Sequence, residues 1–189
     1  IEPTTSSPIV VSPQEVASEP TLVIPPTPLS GNSEATGESP TSEPFKYPTT
    51  YDENVSYRLK LWMRVDKDPR MKLIVKDLCK EDILFWVNSF VATYNPRKNP
   101  SVVPFITYPY EDKLILDLAE SVKNQTDILV DKSRDMGVTW CVLLVFTWYW
   151  QFHGEGFDFL LGSRKEQYID GIGNMDTLME KVRFIIMNQ

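Results

Sequence analysis

The sequence predicts an α/β domain, an incomplete parallel sheet with flanking helices, preceded by a tail with too little apolar surface to pack. Three observations carry this. After Tyr51 the hydrophobic pattern reads helix, strand, loop, helix, strand, helix, an order that builds parallel sheets. Both strand candidates, TDILVDK at 126–132 and FDFLLG at 157–162, are short apolar runs, as buried strands are. Between the first of them and a long apolar helix lies DKSRDMGVTW, at 131–140, with the outline of a phosphate-binding loop.

The tail comes first in the 189-residue chain. Residues 1–45 hold nine of the fifteen prolines, six glutamates and no Lys or Arg, and so six of the seven net negative charges. Such a segment buries too little apolar surface to offset the entropy of ordering it, and a disordered acidic tail is expected. Its apolar patches, at 9–11 and 22–24, stand isolated between prolines. The chain begins at Ile1 rather than Met, which suggests a segment of a longer protein.

Residues 46–104 read as a helical subdomain and 105–189 as the first part of the α/β domain. In DPRMKLIVKDL, Asp68 is placed to cap a helix opening with Pro69, where no donor is lost. In KEDILFWVNSFVATYNP, Ile83, Trp86, Val87, Phe90, Val91 and Tyr94 recur at three- and four-residue steps, which predicts a helix running on to Pro96. Leu114, Ile115, Leu118 and Val122 form one stripe of an amphipathic helix over 111–123. After the loop, VTWCVLLVFTWYW continues as an apolar helix to about Phe152. It falls short of the roughly eighteen residues a membrane span needs, so it is predicted to be a buried core helix. His153 beside Gly154 marks its end. Ser163 and Glu166 have capping-box spacing and predict a helix opening at SRKEQYIDGI. Leu178, Met179, Val182, Ile185 and Ile186 share a face of a last helix over about 176–187.

A phosphate-binding loop needs an anchoring strand, small residues that let backbone N–H groups converge, a cation, and a hydroxyl for Mg²⁺ at a helix start. The Walker A spacing, Gly-x-x-x-x-Gly-Lys-Ser/Thr, falls here on Lys132, Ser133, Arg134, Asp135, Met136, Gly137, Val138 and Thr139. Gly137, Thr139 and the strand-to-helix setting fit. Lys132 replaces the first glycine and Val138 the lysine, which is a single displacement if Lys132 reaches back across the loop to the phosphates. Arg134 adds a planar fork suited to phosphate oxygens. The alternative is a tight turn in which Gly137 supplies a positive φ.

FWVNSFVATYNPR, PFITYPYEDKLI, DILVDKSRDMGVTW and FLLGSRKEQYID, in this order, resemble the amino-terminal part of the large terminase subunit of tailed bacteriophages, over roughly Tyr51 to the end. That family packages viral DNA with a P-loop ATPase domain. The resemblance implies a P-loop NTPase-like sheet and ATP with Mg²⁺ as cofactors. It also implies Lys132 as the displaced lysine, Arg134 as a catalytic arginine on the developing phosphate charge, and Thr139 as the Mg²⁺ ligand. YPYE, at 108–111, resembles the family's adenine-side motif, with Tyr110 stacking on the base and Glu111 standing where a Gln reads its edge. An ionised carboxylate accepts from the adenine amino group but cannot donate. The alternative for Tyr110 is an aromatic packed on the core. Arg164 and Lys165 could face nucleotide or DNA, or belong to a solvated helical turn. The implied partners are double-stranded viral DNA, the portal and the small terminase subunit, with no membrane, in the host bacterial cytoplasm.

ATP hydrolysis in this class uses an apolar strand ending in Asp-Glu. Nothing after Gly162 has that form, and a nuclease-type acidic cluster is also not found, so the chain is expected to be a fragment that does not turn over ATP alone. A helicase-like P-loop motor is the neighbouring reading, and a non-enzymatic interaction module the distant one. Net charge −7 gives no support to DNA binding. Cys79 and Cys141 lack metal-ligand spacing and are expected as buried, reduced thiols. One histidine, His153, is too few for a histidine-based metal site or triad.

Overall fold

The first three helices are placed by their polar ends. α1 (Tyr51–Lys67) opens with Asp52 and Glu53 and closes with Arg64 and Lys67, charges that complement the helix macrodipole. A new helix follows after one residue, because the Asp68 carboxylate accepts from the Arg70 N–H at 2.9 Å and Pro69 takes the first position. This is α2 (Pro69–Glu81), and the next break repeats the device: Asp82 accepts from the Phe85 N–H at 3.0 Å and starts α3 (Ile83–Phe90).

The computed structural model describes residues 47–154 and 156–189; the acidic tail expected at 1–45 lies outside them. The described residues belong to one unit, Glu43–Gln189. α3 does not run to Pro96. It ends at Phe90, and Ala92–Tyr94 form β1, antiparallel to β2 (Val102–Pro104), with Thr93 opposite Val103. Val91, Thr93 and Tyr94 suit either a helix face or a strand. The available partners decide: the Ala92 N–H reaches the Asn188 carbonyl, and β2 supplies the ladder.

α4 (Pro109–Asn124) and α5 (Val138–Trp148) pack against each other. α5 is apolar on nearly every side because it is covered on nearly every side: Cys141, Leu143, Leu144, Val145, Thr147 and Trp148 are buried against neighbours that include α3, α4 and α6 (Leu178–Met187). It continues as a π-helical turn, Tyr149–His153, ending at Gly154, as the His153-Gly154 pair predicts. The Trp148 indole donates to the Cys79 carbonyl (2.7 Å) and the Tyr149 hydroxyl to the Ala119 carbonyl (2.8 Å), tying α5 to α2 and α4. Among the described residues no helix is long and apolar enough to cross a membrane.

The expected parallel sheet is not found among the described residues, where the sheet is β1–β2 alone. Segments 126–132 and 157–162 are irregular and unpaired. The second still shows a strand's alternation: Phe157 and Phe159 turn inward, Phe157 tilted against Tyr149 (4.6 Å) and Phe159 stacked on Phe146 (4.2 Å), while Asp158 and Leu160 face solvent. A strand exists only with a neighbouring strand for its N–H and C=O groups; here Thr126 bonds back to Ser121 at the end of α4 and neither segment has a strand beside it. The helix expected from Ser163 is likewise reduced to a single 3₁₀ turn at Glu166–Tyr168.

Candidate nucleotide-binding site

The site rests on a buried polar network. Arg58, on the inner face of α1, donates to the carbonyls of Val91 (2.8 Å), Val87 (3.1 Å) and Phe105 (2.9 Å) and to Asn54 Oδ1 (2.7 Å). Two of these carbonyls, Val87 in the last turn of α3 and Val91 at its C-cap, mark a helix C-terminus, where a cation is favoured. Burial pushes the guanidinium down to about 10, so it stays charged at neutral pH. Asn88 continues the network, its Oδ1 accepting from the Thr107 N–H (3.1 Å) and its Nδ2 donating to Thr107 Oγ1 (2.9 Å). Residues 105–107 are thereby fixed, and they lead directly into α4.

α4 starts at Tyr108 as N-cap, with Pro109 in the first turn. Glu111 Oε2 accepts from the Tyr108 N–H at 3.0 Å, the carboxylate half of a capping box. Tyr108 and Tyr110 project to solvent as a stacked pair, ring planes 6° apart and centroids 5.7 Å apart. Tyr110 is therefore exposed rather than packed on the core. Glu111 is only 5% exposed, and burial, followed by the charge of Asp112, raises its carboxyl above the ordinary range against the Tyr108 N–H.

The loop at 131–137 turns at Arg134 and Asp135, with positive φ at Asp135 (61°) and Gly137 (71°). Lys132, Ser133, Arg134, Asp135 and Thr139 are exposed, and Met136, Gly137 and Val138 half-buried. Gly137 is the N-cap of α5 and has no side chain to cap it, so the first-turn N–H groups are left for an incoming acceptor. Neither Lys132 nor Arg134 is in an ion pair or side-chain hydrogen bond among the described residues. A Cβ on Gly137 would run into Glu111 Oε1, its Cδ standing 3.5 Å from that position. The start of α4 and the start of α5 thus meet.

The structure brings the loop, Tyr110 and Glu111 into one region. Arg164 lies 6.0 Å from the Tyr168 ring, in an exposed stretch. Among the described residues no group of three His, Cys, Asp or Glu is placed to hold a metal. A Mg²⁺ here would take Thr139 from the protein and its other ligands from phosphates and water. Tyr108 and the Arg58 network escape the sequence reading. The available signals are the aromatic spacing Tyr-Pro-Tyr, and the polar pair Asn54 and Arg58 on an otherwise apolar helix face. Comparison with known protein families, curated proteins and solved structures finds no match for this chain.

Proposed function

We propose that this chain is the amino-terminal part of a viral DNA-packaging motor, a terminase large subunit, and that it binds ATP with Mg²⁺ through the loop at 132–139. The observation that carries this is the meeting at Gly137 of an uncapped helix start and the α4 start bearing the exposed Tyr108–Tyr110 pair, with exposed, unpaired Lys132 and Arg134 in the loop that leads to it. Each part answers a need of a nucleotide. Helix N–H groups and two free cations suit phosphates, and a flat aromatic face suits a base.

In that reading Lys132 holds the β- and γ-phosphates, Ser133 to Val138 wrap them with backbone N–H groups, and Thr139 ligates Mg²⁺. Arg134 offsets charge growing on the transferred phosphoryl group. Segments 126–132 and 157–162 become strands of a P-loop-type parallel sheet once neighbours pair with them. Double-stranded viral DNA, the portal and the small terminase subunit are the proposed partners, in the host bacterial cytoplasm. No apolar run after Gly162 ends in Asp-Glu, so the chain is expected to bind nucleotide without turning it over.

The test is binding of a fluorescent ATP analogue to the full chain, with and without Mg²⁺. Mg²⁺-dependent micromolar binding, weakened about tenfold or more by Lys132→Ala and by Arg134→Ala, is expected; each tenfold corresponds to roughly 1.4 kcal/mol. Absence of binding by the folded chain rejects the reading. It would favour a non-enzymatic interaction module, for which the exposed Leu59, Trp62 and Met63 on α1 and Leu73 on α2 offer a surface.

A further inference from the structure

Glu111 stands where the resemblance expects a base-reading side chain, and its carboxylate is buried. It is 5% exposed, one carboxylate oxygen is held by the Tyr108 N–H at 3.0 Å, and the other fills the space a Cβ of residue 137 would occupy. Gly137 is thus required twice, by its φ of 71° and by the carboxylate beside it.

We propose that Glu111 is a positioning residue that locks the start of α4 to the N-cap of α5, so that the Tyr108–Tyr110 pair and the loop at 132–139 keep one fixed relation. One side chain serves both elements. Its Oε2 caps α4, and its Oε1 sets how closely Gly137 can approach. A carboxylate beside the uncapped first turn of α5 is also favoured by the helix macrodipole. The fixed relation matters only if the loop binds a nucleotide, and in that sense the inference rests on the preceding reading; the mechanical lock itself is testable without any ligand.

The chemistry separates three substitutions. Glu111→Gln keeps the volume and an oxygen acceptor for the Tyr108 N–H. Glu111→Met keeps the volume and removes the acceptor. Glu111→Ala removes both.

The experiment is amide hydrogen exchange on the full chain, comparing 136–140 with 83–90 in α3, together with a Glu111→Ala, Gly137→Ala double-mutant cycle read by denaturation. Exchange over 136–140 about tenfold or more faster in Glu111→Ala is expected, with α3 unchanged and Glu111→Gln like wild type. Gly137→Ala should destabilise less in the Glu111→Ala background, where the collision is gone and only the φ strain remains. Should Glu111→Ala not fold, Glu111→Met against Glu111→Gln decides by the same exchange, a looser loop in Met alone being the supporting result. Equal loop exchange in the substituted and wild-type chains, or strict additivity in the cycle, overturns the proposal. Loosening in Glu111→Gln as large as in Glu111→Ala also overturns it. The nucleotide assay runs alongside: no binding by wild type rejects the nucleotide reading while exchange and the cycle still decide the lock.

Discussion

Arg58 takes a positive charge into the core and pairs it with carbonyl oxygens instead of a carboxylate. The carbonyls of Val87, Val91 and Phe105 and the amide oxygen of Asn54 converge on one guanidinium, the first two also accepting the N–H groups of Val91 and Phe105. Removing it leaves the Phe105 carbonyl and Asn54 Oδ1 buried without donors, which costs about 1–3 kcal/mol for each that water cannot reach, while the Val87 and Val91 carbonyls keep the N–H groups of Val91 and Phe105. Arg58→Ala is therefore expected to lower stability by ~3 kcal/mol or more in urea denaturation, and Arg58→Lys to recover only part, since an ammonium lacks the planar fork. The effect should appear at α3 and at the start of α4 together, because Phe105 joins them. A loss under about 1 kcal/mol would mean that the network is wet and the site rests on something else. The network was open to sequence reading only as a pattern, Asn54 and Arg58 one turn apart on the face that carries Leu61. Its partners at 87, 91 and 105 are backbone groups, which no residue type advertises. Glu111 is a similar case: its contact with Gly137 spans the whole of α4, and the spacing of neither residue announces it.

Elements were legible where their signals are local. Asp68 before Pro69, the stripe on α4 and the apolar run of α5 each predict a helix that the fold contains, since capping and periodicity are settled within a turn or two. The helix predicted through Tyr94 failed because its end is set by contacts from 102–104 and from Asn188, distant in sequence. The helix predicted from Ser163 failed for want of continuation, with Gly171 and Gly173 close behind its single turn. Cys79 on α2 and Cys141 on α5 offer a probe of how tightly these helices pack. Both thiols are buried, and that burial, reinforced by Asp82 at Cys79 and by Glu111 at Cys141, pushes each up to about 12. Both are thus protonated throughout the neutral range, and a thiolate-directed reagent at pH 8 should find neither in the native chain. Labelling is expected to follow denaturant unfolding, with both cysteines appearing together. Rapid native labelling of Cys141 alone would show that α5 opens at the loop independently of the core.

At the scale of the whole molecule, the question is what the two unpaired apolar runs do. Both have a buried strand's composition, and composition speaks of burial without naming the neighbour that provides it. Among the described residues that neighbour is missing, and Leu129 and Leu160 are left 95% and 97% exposed. A single exposed leucine is ordinary. Two within runs of unpaired backbone are different, because free N–H and C=O groups beside apolar side chains form a template for pairing with another chain. The charge that keeps copies apart lies mostly in 1–45, which holds six of the seven net negative charges, so 47–189 has little of its own. The chain is therefore expected to self-associate with rising concentration in sedimentation velocity. Leu129→Lys with Leu160→Lys should shift it toward monomer while leaving the thermal midpoint within a few degrees, since neither side chain is in the core. If the double substitution instead lowers the midpoint by ten degrees or more, these leucines are packed in solution and the runs are already paired. If neither association nor midpoint changes, the runs are exposed without consequence, and the sheet invoked for the phosphate loop loses its physical motive.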